Sequence, residues 1–147
     1  MENRYENFTI LISKINRNIR KIKNLEMAEY NLKSPHISCL FYIYINKSIT
    51  ASELCEKCEE DKGTISRSLD YLEKNDFVIC KSKHIKRYNS PFSLTNKGME
   101  VGKKIVDKIN DVLEKVNVCL DEEERVNFYI NLKKISDSLD EISNKLS

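Results

Sequence analysis

The chain has 147 residues, of which 40% are hydrophobic and 33% are charged, and its formal net charge is +2. This composition predicts one soluble, mainly helical domain and argues against a disordered chain. No apolar stretch reaches the 18 or more residues of a membrane span and no signal-peptide pattern opens the sequence, so we expect a cytoplasmic protein without a membrane partner.

The first half of the sequence predicts three helices. Apolar residues recur every three or four positions from Phe8 to Ile22, which indicates one long helix over about residues 6–29. Ser34 followed by proline predicts the capped start of a second helix that ends near Asn46. The sequence TASE at 50–53 is a capping box, and it predicts a short third helix that ends near Cys58.

A fourth helix should begin after Asp61, its predicted N-cap, and stop at Asn75 and Asp76. Its apolar residues share one face. The opposite face is short-chained, polar and basic, which leaves room for a large partner such as DNA. This face is formed by Lys62, Gly63, Thr64, Ser66 and Arg67.

After the fourth helix the period changes from helical to extended. The segments FVICKS and RYNSPFSL predict a β-hairpin with a basic connection, and Pro91 requires its strand to lie at a sheet edge. The basic segment KSKHIKRY at 81–88 contains no acid, although such a run alone is more often a solvated face. Thr95 is the predicted cap of a fifth helix, and a sixth helix follows it.

Long apolar seams run along the first, fifth and sixth helices, at the two ends of the chain. One chain has too little other surface to cover them, so we predict a symmetric homodimer, while an intramolecular bundle remains the alternative. The residues expected in the dimer interface are Ile12, Ile15, Ile19, Ile109, Val116, Leu132, Ile135 and Leu139.

Three segments, TASELCEKCEEDKGTISRSLDYLEKNDFV, SLTNKG and LDEEERVNFYINLKKI, resemble the MarR family of bacterial transcriptional regulators. The resemblance implies a mainly α fold with a small β-hairpin wing, that is, a winged helix-turn-helix with N- and C-terminal dimerisation helices. The DNA-binding lobe would span about residues 34–95, and the dimerisation helices about 5–30 and 96–147. The implied function is a homodimeric regulator, most simply a repressor, that binds a pseudo-palindromic operator in double-stranded DNA.

In that family the fourth helix enters the major groove and the wing reaches the flanking backbone or minor groove. Arg67 is our main candidate for direct base readout, because a guanidinium can bond guanine through two hydrogen bonds. Thr50 and Ser52 have an equally good explanation as capping residues. Lys86 and Tyr88 stand where the family has aspartate and arginine in the wing, and Glu59 stands where it has glycine. The DNA contacts implied by the resemblance are Thr50, Ser52, Lys62, Gly63, Thr64, Ser66, Arg67, Lys83, Lys86 and Arg87.

The family also binds small phenolic or aromatic effectors between its dimerisation and DNA-binding parts. Aromatic residues at helical spacing are more often core residues than ligand contacts, so this expectation competes with simple packing. The residues that the resemblance places in such a crevice are Tyr30, His36, Phe41, Tyr42 and Tyr44.

The five cysteines are scattered, as is usual in a reducing compartment. Cys55 and Cys58 share a helix face, but a structural zinc needs four ligands and we find no second close pair among the remaining cysteines and histidines. We interpret both residues as buried core residues and expect no metal, cofactor or catalytic activity. Two other functions remain open, a winged-helix module that binds proteins and a thiol-based redox switch.

Overall fold

The computed structural model describes residues 3–58, 60–82 and 86–147. It divides into two compact units, one up to Lys108 and the other from Ile109 to Ser147. The predicted DNA contact Lys83, and Glu59 at the position where the family has glycine, lie outside the described residues.

The described residues form six α-helices and three short strands. The helices are α1 (Arg4–Glu26), α2 (Ser34–Asn46), α3 (Ala51–Cys58), α4 (Lys62–Lys74), α5 (Asn96–Asn117) and α6 (Glu122–Leu146). The strands are β1 (Ile49–Thr50), β2 (Val78–Cys80) and β3 (Pro91–Leu94), and 3-10 turns occupy Ala28–Tyr30 and Arg87–Asn89. The expectation of a mainly helical fold with a small antiparallel sheet is therefore confirmed.

Two details of the predicted first and second helices are wrong. Helix α1 ends at Glu26 rather than near residue 29, because the chain tightens into a 3-10 turn that closes at Asn31 in the left-handed region, with φ 56°. Ser34 is the first residue of α2 and not its cap. Its backbone N–H is instead satisfied by the Asn24 side chain of α1, at 2.7 Å.

The predicted caps of α3, α4 and α5 are confirmed. Thr50 accepts from the N–H of Glu53 at 3.2 Å, and the Glu53 carboxylate accepts from the N–H of Thr50 at 2.8 Å, which completes the capping box. Asp61 accepts from the N–H of Thr64 at 2.8 Å. Thr95 accepts from the N–H of Gly98 at 3.0 Å.

The strands pair in the order β1-β3-β2, and both pairings are antiparallel. Pro91 therefore lies on the central strand, and its predicted edge position is wrong. The fold tolerates it because Pro91 is the first residue of β3, opposite Thr50, where a missing N–H removes little of the ladder. Strand β1, which pairs with β3, was not predicted, because its second residue, Thr50, belongs to the capping box of α3.

The core of the first unit lies among α2, α3, α4, the sheet and the first half of α5. Leu40, Leu54, Ile65 and Phe92 have no exposed surface, and burial of such side chains is the main source of stability. Gly98 allows α5 to approach the chain after α4. A Cβ at this position would lie 2.0 Å from the carbonyl oxygen of Phe77.

Helix α1, in the first unit, and helix α6, in the second, each contain no buried residue. Their apolar side chains are exposed in the single chain; Ile15 of α1 is 54% exposed and Leu139 of α6 is 50% exposed. A capping box of Asp121 and Glu124 begins α6. None of the helices in the described ranges combines the length and the apolar character that a membrane crossing requires.

Candidate nucleic-acid interface

The start of α4 is organised by a chain of hydrogen bonds that runs through Thr64. Its backbone N–H and its hydroxyl both donate to the Asp61 carboxylate, each at 2.8 Å. The same hydroxyl accepts from Nη2 of Arg67 at 3.3 Å. The hydrogen bonds from Thr64 lower the pKa of Asp61, with a smaller contribution from the charge of Arg67. Thr64 and Arg67, both predicted DNA contacts, therefore lie together at the first turn of this helix.

Gly63 leaves space that the Arg67 side chain partly fills. A Cβ on Gly63 would lie 3.1 Å from Nη1 of Arg67 and 3.1 Å from Oδ1 of Asp61. The sequence analysis assigned this space to an approaching partner. In the structure the glycine also lets the guanidinium fold back toward the helix start, where it remains exposed. Lys62 and Ser66 of the same helix are exposed as well.

The two polar residues at the start of α3 have different surroundings. The Thr50 hydroxyl accepts from Glu53 and donates to its carboxylate at 3.0 Å, so its hydrogen-bonding capacity is used in the cap. Ser52 is half-buried and lies close to the side chain of Tyr88. These contacts support the capping explanation for Thr50 and place Ser52 beneath the wing.

Arg87, a predicted DNA contact in the wing, binds acidic residues of α4. Its Nη2 lies 2.8 Å from Oδ1 of Asp70 and its Nη1 lies 3.0 Å from Oε1 of Glu73. The guanidinium also lies over the ring of Phe92, 5.3 Å from its centroid. These acidic partners were not predicted, since they are 17 and 14 residues away in the chain. Lys86, the neighbouring predicted contact, is exposed.

Tyr88 connects the wing to both helices of the helix-turn-helix. The ammonium of Lys62 lies over its ring, 4.3 Å from the centroid, and its hydroxyl donates to the sulfur of Cys55 at 3.7 Å. The sequence analysis noted Tyr88 only as a departure from the family pattern. An aromatic residue directly after the basic pair Lys86 and Arg87 was the available signal for a packing role.

The five predicted effector contacts have different neighbours in the structure. The hydroxyl of Tyr30 accepts from Lys104 of α5, the ring of His36 stacks on Tyr71 of α4 at 4.3 Å, and Tyr42 lies beneath Lys57 of α3. Phe41 contacts Tyr42 edge to face. The side chain of Tyr44 is adjacent to Gly102, where a Cβ would come within 2.8 Å of its ring. All five are half-buried.

The cysteines differ from their predicted environment. Cys55 and Cys58 are only partly buried, so their interpretation as core residues is wrong, and the fully buried cysteine is Cys39. Interaction with the side chain of Cys58 in α3, followed by burial, raises the pKa of the Cys39 thiol in α2. Within the described ranges, no three histidine, cysteine, aspartate or glutamate side chains are arranged to hold a metal ion.

A capped helix pair, α3 and α4, followed by a β-hairpin whose turn packs on both helices, defines a winged helix-turn-helix protein. Residues 30–87 match the model of the MarR family. Over this central part of its sequence the chain is therefore similar to the MarR family.

Solved structures of MarR proteins have the same fold. A MarR protein from Peptoclostridium difficile is 21% identical and superimposes with a TM-score of 0.87, with 100% of this chain and 96% of that chain covered. Staphylococcus aureus MarR in complex with salicylate and kanamycin is 17% identical, with a TM-score of 0.81 and coverage of 94% and 93%. The S. aureus MepR–DNA complex is 17% identical, with a TM-score of 0.80 and coverage of 90% and 97%. The comparison with curated protein sequences found no match.

Proposed function

We propose that this protein is a homodimeric, sequence-specific DNA-binding regulator that represses transcription from a pseudo-palindromic operator in the cytoplasm. The observation that carries the proposal is the start of α4, where the exposed Arg67 is joined to Thr64 by a hydrogen bond beside the small residue Gly63. Arginine contacts guanine edges in the major groove, and small residues let a helix backbone come close to the duplex. The likeness to the MepR–DNA complex supports this role.

The wing and α3 would contribute phosphate contacts. Lys62, at the start of the proposed reading helix, and Lys86, in the wing, are exposed cations, and phosphate neutralisation by such cations adds affinity without sequence preference. We assign Arg87 a different role, since Asp70 and Glu73 already offset its charge. It holds the wing against α4. Ser52 and Lys83 remain proposed contacts, whereas the cap explains Thr50.

The proposed dimer would cover the exposed apolar residues of the terminal helices. Helix α1 and helix α6 each have no buried residue in the single chain, and an isolated soluble chain seldom leaves such long apolar seams in water. A two-fold dimer built from α1, α5 and α6 would bury them and present two copies of α4. The proposed domain division follows, with a DNA-binding lobe at about 34–95 between dimerisation helices at about 5–30 and 96–147.

Binding-site selection from random duplex DNA tests the proposal. We expect an inverted repeat whose half-sites lie about 34 Å apart, one helical turn, because both recognition helices must enter the same face of the duplex. Affinity for the selected site should exceed that for a scrambled duplex by about 10³-fold or more. No enrichment of any sequence, together with weak and salt-insensitive binding to duplex DNA, would favour the alternative of a protein-interaction module.

We further propose that a small aromatic effector weakens DNA binding. The likeness to S. aureus MarR with salicylate and kanamycin supports this class of effector. Of the five aromatic candidates, His36 has the most direct link to the reading helix, through its stack on Tyr71 of α4. Titration of the protein–operator complex with salicylate, with wild type and His36→Ala compared, tests it. Release of the wild type only is expected, and equal release of both proteins would remove His36 from the effector site.

A further inference from the structure

The 3-10 turn Arg87–Asn89, which precedes β3, carries an aromatic ring that contacts both helices of the helix-turn-helix. The ammonium of Lys62 in α4 lies over the ring of Tyr88, 4.3 Å from its centroid, and this arrangement is a cation–π contact. The hydroxyl of Tyr88 donates to the sulfur of Cys55 in α3 at 3.7 Å. One face of this half-buried ring therefore contacts the first residue of α4, while its hydroxyl is held by α3.

The turn is fixed in place by contacts that do not involve Lys62. Arg87 donates to the carboxylates of Asp70 and Glu73, at 2.8 and 3.0 Å. Asp70 is eight residues after Lys62 in the same helix, which corresponds to about 12 Å along the helix axis. Because separate contacts hold the turn and the tyrosine hydroxyl, the ring is the fixed partner of the cation–π contact. The flexible lysine side chain is the partner that the ring positions.

A ring affects the charge of Lys62 differently from a carboxylate. Within the ranges that the structure describes, no acidic side chain forms an ion pair with Lys62. The neutral ring restricts the ammonium without offsetting its charge, so the N–H groups that point away from the ring stay available to a phosphate. A lysine also loses rotamer freedom when it binds a ligand, and an ammonium that is already held loses less of it.

We propose that Tyr88 is a positioning residue for DNA binding, whose ring holds the ammonium of Lys62 where α4 begins, so that Lys62 contacts a backbone phosphate. This inference rests on the proposed function, in which α4 enters the major groove and Lys62 binds phosphate. Tyr88 acts through Lys62 and needs no contact with DNA of its own. A change at Tyr88 should therefore weaken DNA binding only as long as Lys62 is present.

A double-mutant cycle with the selected duplex tests this dependence. Tyr88→Leu removes the ring and should weaken binding about threefold per half-site, hence about tenfold for a dimer. In a protein that already contains Lys62→Ala, the same change should weaken binding by less than about twofold. Tyr88→Phe keeps the ring face and loses only the bond to Cys55, so it should bind within about twofold of the wild type. The matched control is Lys86→Ala, at an exposed wing cation, whose effect should simply add to that of Tyr88→Leu.

Nuclear magnetic resonance of the free protein measures the contact without DNA. The ring should shift the protons next to the Lys62 ammonium upfield in the wild type and in Tyr88→Phe, and this shift should be lost in Tyr88→Leu. The wild-type measurement depends on no variant, so it stays informative if Tyr88→Leu unfolds. No shift in the wild type, additive losses at Tyr88 and Lys62, or coupling of Tyr88 to Lys86 in place of Lys62 would overturn the proposal. A wild type that shows the shift but binds no duplex selectively would refute the proposed function instead.

Discussion

The guanidinium of Arg87 in the wing reaches the carboxylate of Asp70 in α4, with 2.8 Å between Nη2 and Oδ1. A second bond, to Glu73, makes the arginine a bridge to the proposed reading helix. Because Asp70 and Glu73 offset the charge of Arg87, little of that charge is available to neutralise DNA phosphates. Its neighbour Lys86 is exposed and differs in this respect, which makes the two residues a matched pair for testing the wing.

Lys86→Ala should lower the slope of log K against log salt by about one per wing, hence about two per dimer. Arg87→Ala should weaken binding while leaving the slope nearly unchanged, and the added change Asp70→Asn should restore part of the affinity by removing an unpaired acid. Fluorescence anisotropy at several salt concentrations measures both quantities. If both single variants lower the salt slope equally, Arg87 contacts phosphate after all. Stability should change by about 1 kcal/mol or less, as for other exposed ion pairs.

Alanine substitutions at two glycines should have different effects, one on stability and the other on DNA binding. Gly98→Ala should lower the free energy of unfolding by about 3 kcal/mol, because its Cβ would lie 2.0 Å from the Phe77 carbonyl oxygen and α5 would have to move. Gly63→Ala should fold normally, since its nearest neighbours are the movable tips of Arg67 and Asp61, but it should weaken DNA binding by displacing Arg67. Urea denaturation and DNA titration of the two variants separate these effects. A stable Gly98→Ala protein would contradict the close packing of α5.

The sequence predicted the elements whose signals are local. The caps at Thr50, Asp61 and Thr95 depend on side chains within three residues of their partners, so pattern and structure agree. Strand β1 and the central position of Pro91 depend on pairing between residues 41 and 43 positions apart, for which no local pattern exists. The same reason explains which parts of the candidate site could be predicted. The polar face of α4 could be predicted from the sequence, whereas its contact with Arg87 forms only when distant parts of the chain meet.

The cap of α4 should make the protein sensitive to acid. Hydrogen bonds from Thr64 lower the pKa of Asp61 in the folded state, so its stabilising contribution is complete above the pKa of an unfolded aspartate. It is lost as the pH falls through the lowered value. Asp61→Asn retains a capping side chain that does not titrate. The difference in melting temperature between wild type and this variant should therefore shrink or reverse on going from pH 7 to acid, and a constant difference would argue against the cap.

The dimer proposal is tested on α6. Ile135→Glu places a charge in the proposed interface, which should weaken association by about 3 kcal/mol and reduce operator affinity with it. Asn144→Glu introduces the same side chain at an exposed position on the other side of the same helix and should leave association unchanged. Sedimentation at micromolar concentration should show two chains for the wild type and the control. A monomeric wild type would refute the dimer.

The last prediction separates base reading from general affinity. If Arg67 reads a base edge, Arg67→Ala should reduce affinity for the selected site by about 1 to 3 kcal/mol and relax the preference at one position in each half-site. Arg67→Lys keeps the charge but cannot form two parallel hydrogen bonds, so it should lose discrimination while keeping the salt slope. Thr64→Ala removes the hydroxyl that accepts from Nη2 at 3.3 Å, and it should reproduce part of the loss by freeing the guanidinium. Titrations against the selected and scrambled duplexes measure both affinity and preference. If Arg67→Ala lowers binding to both duplexes equally and Arg67→Lys restores it, Arg67 contacts phosphate and the base reading belongs to another residue of α4.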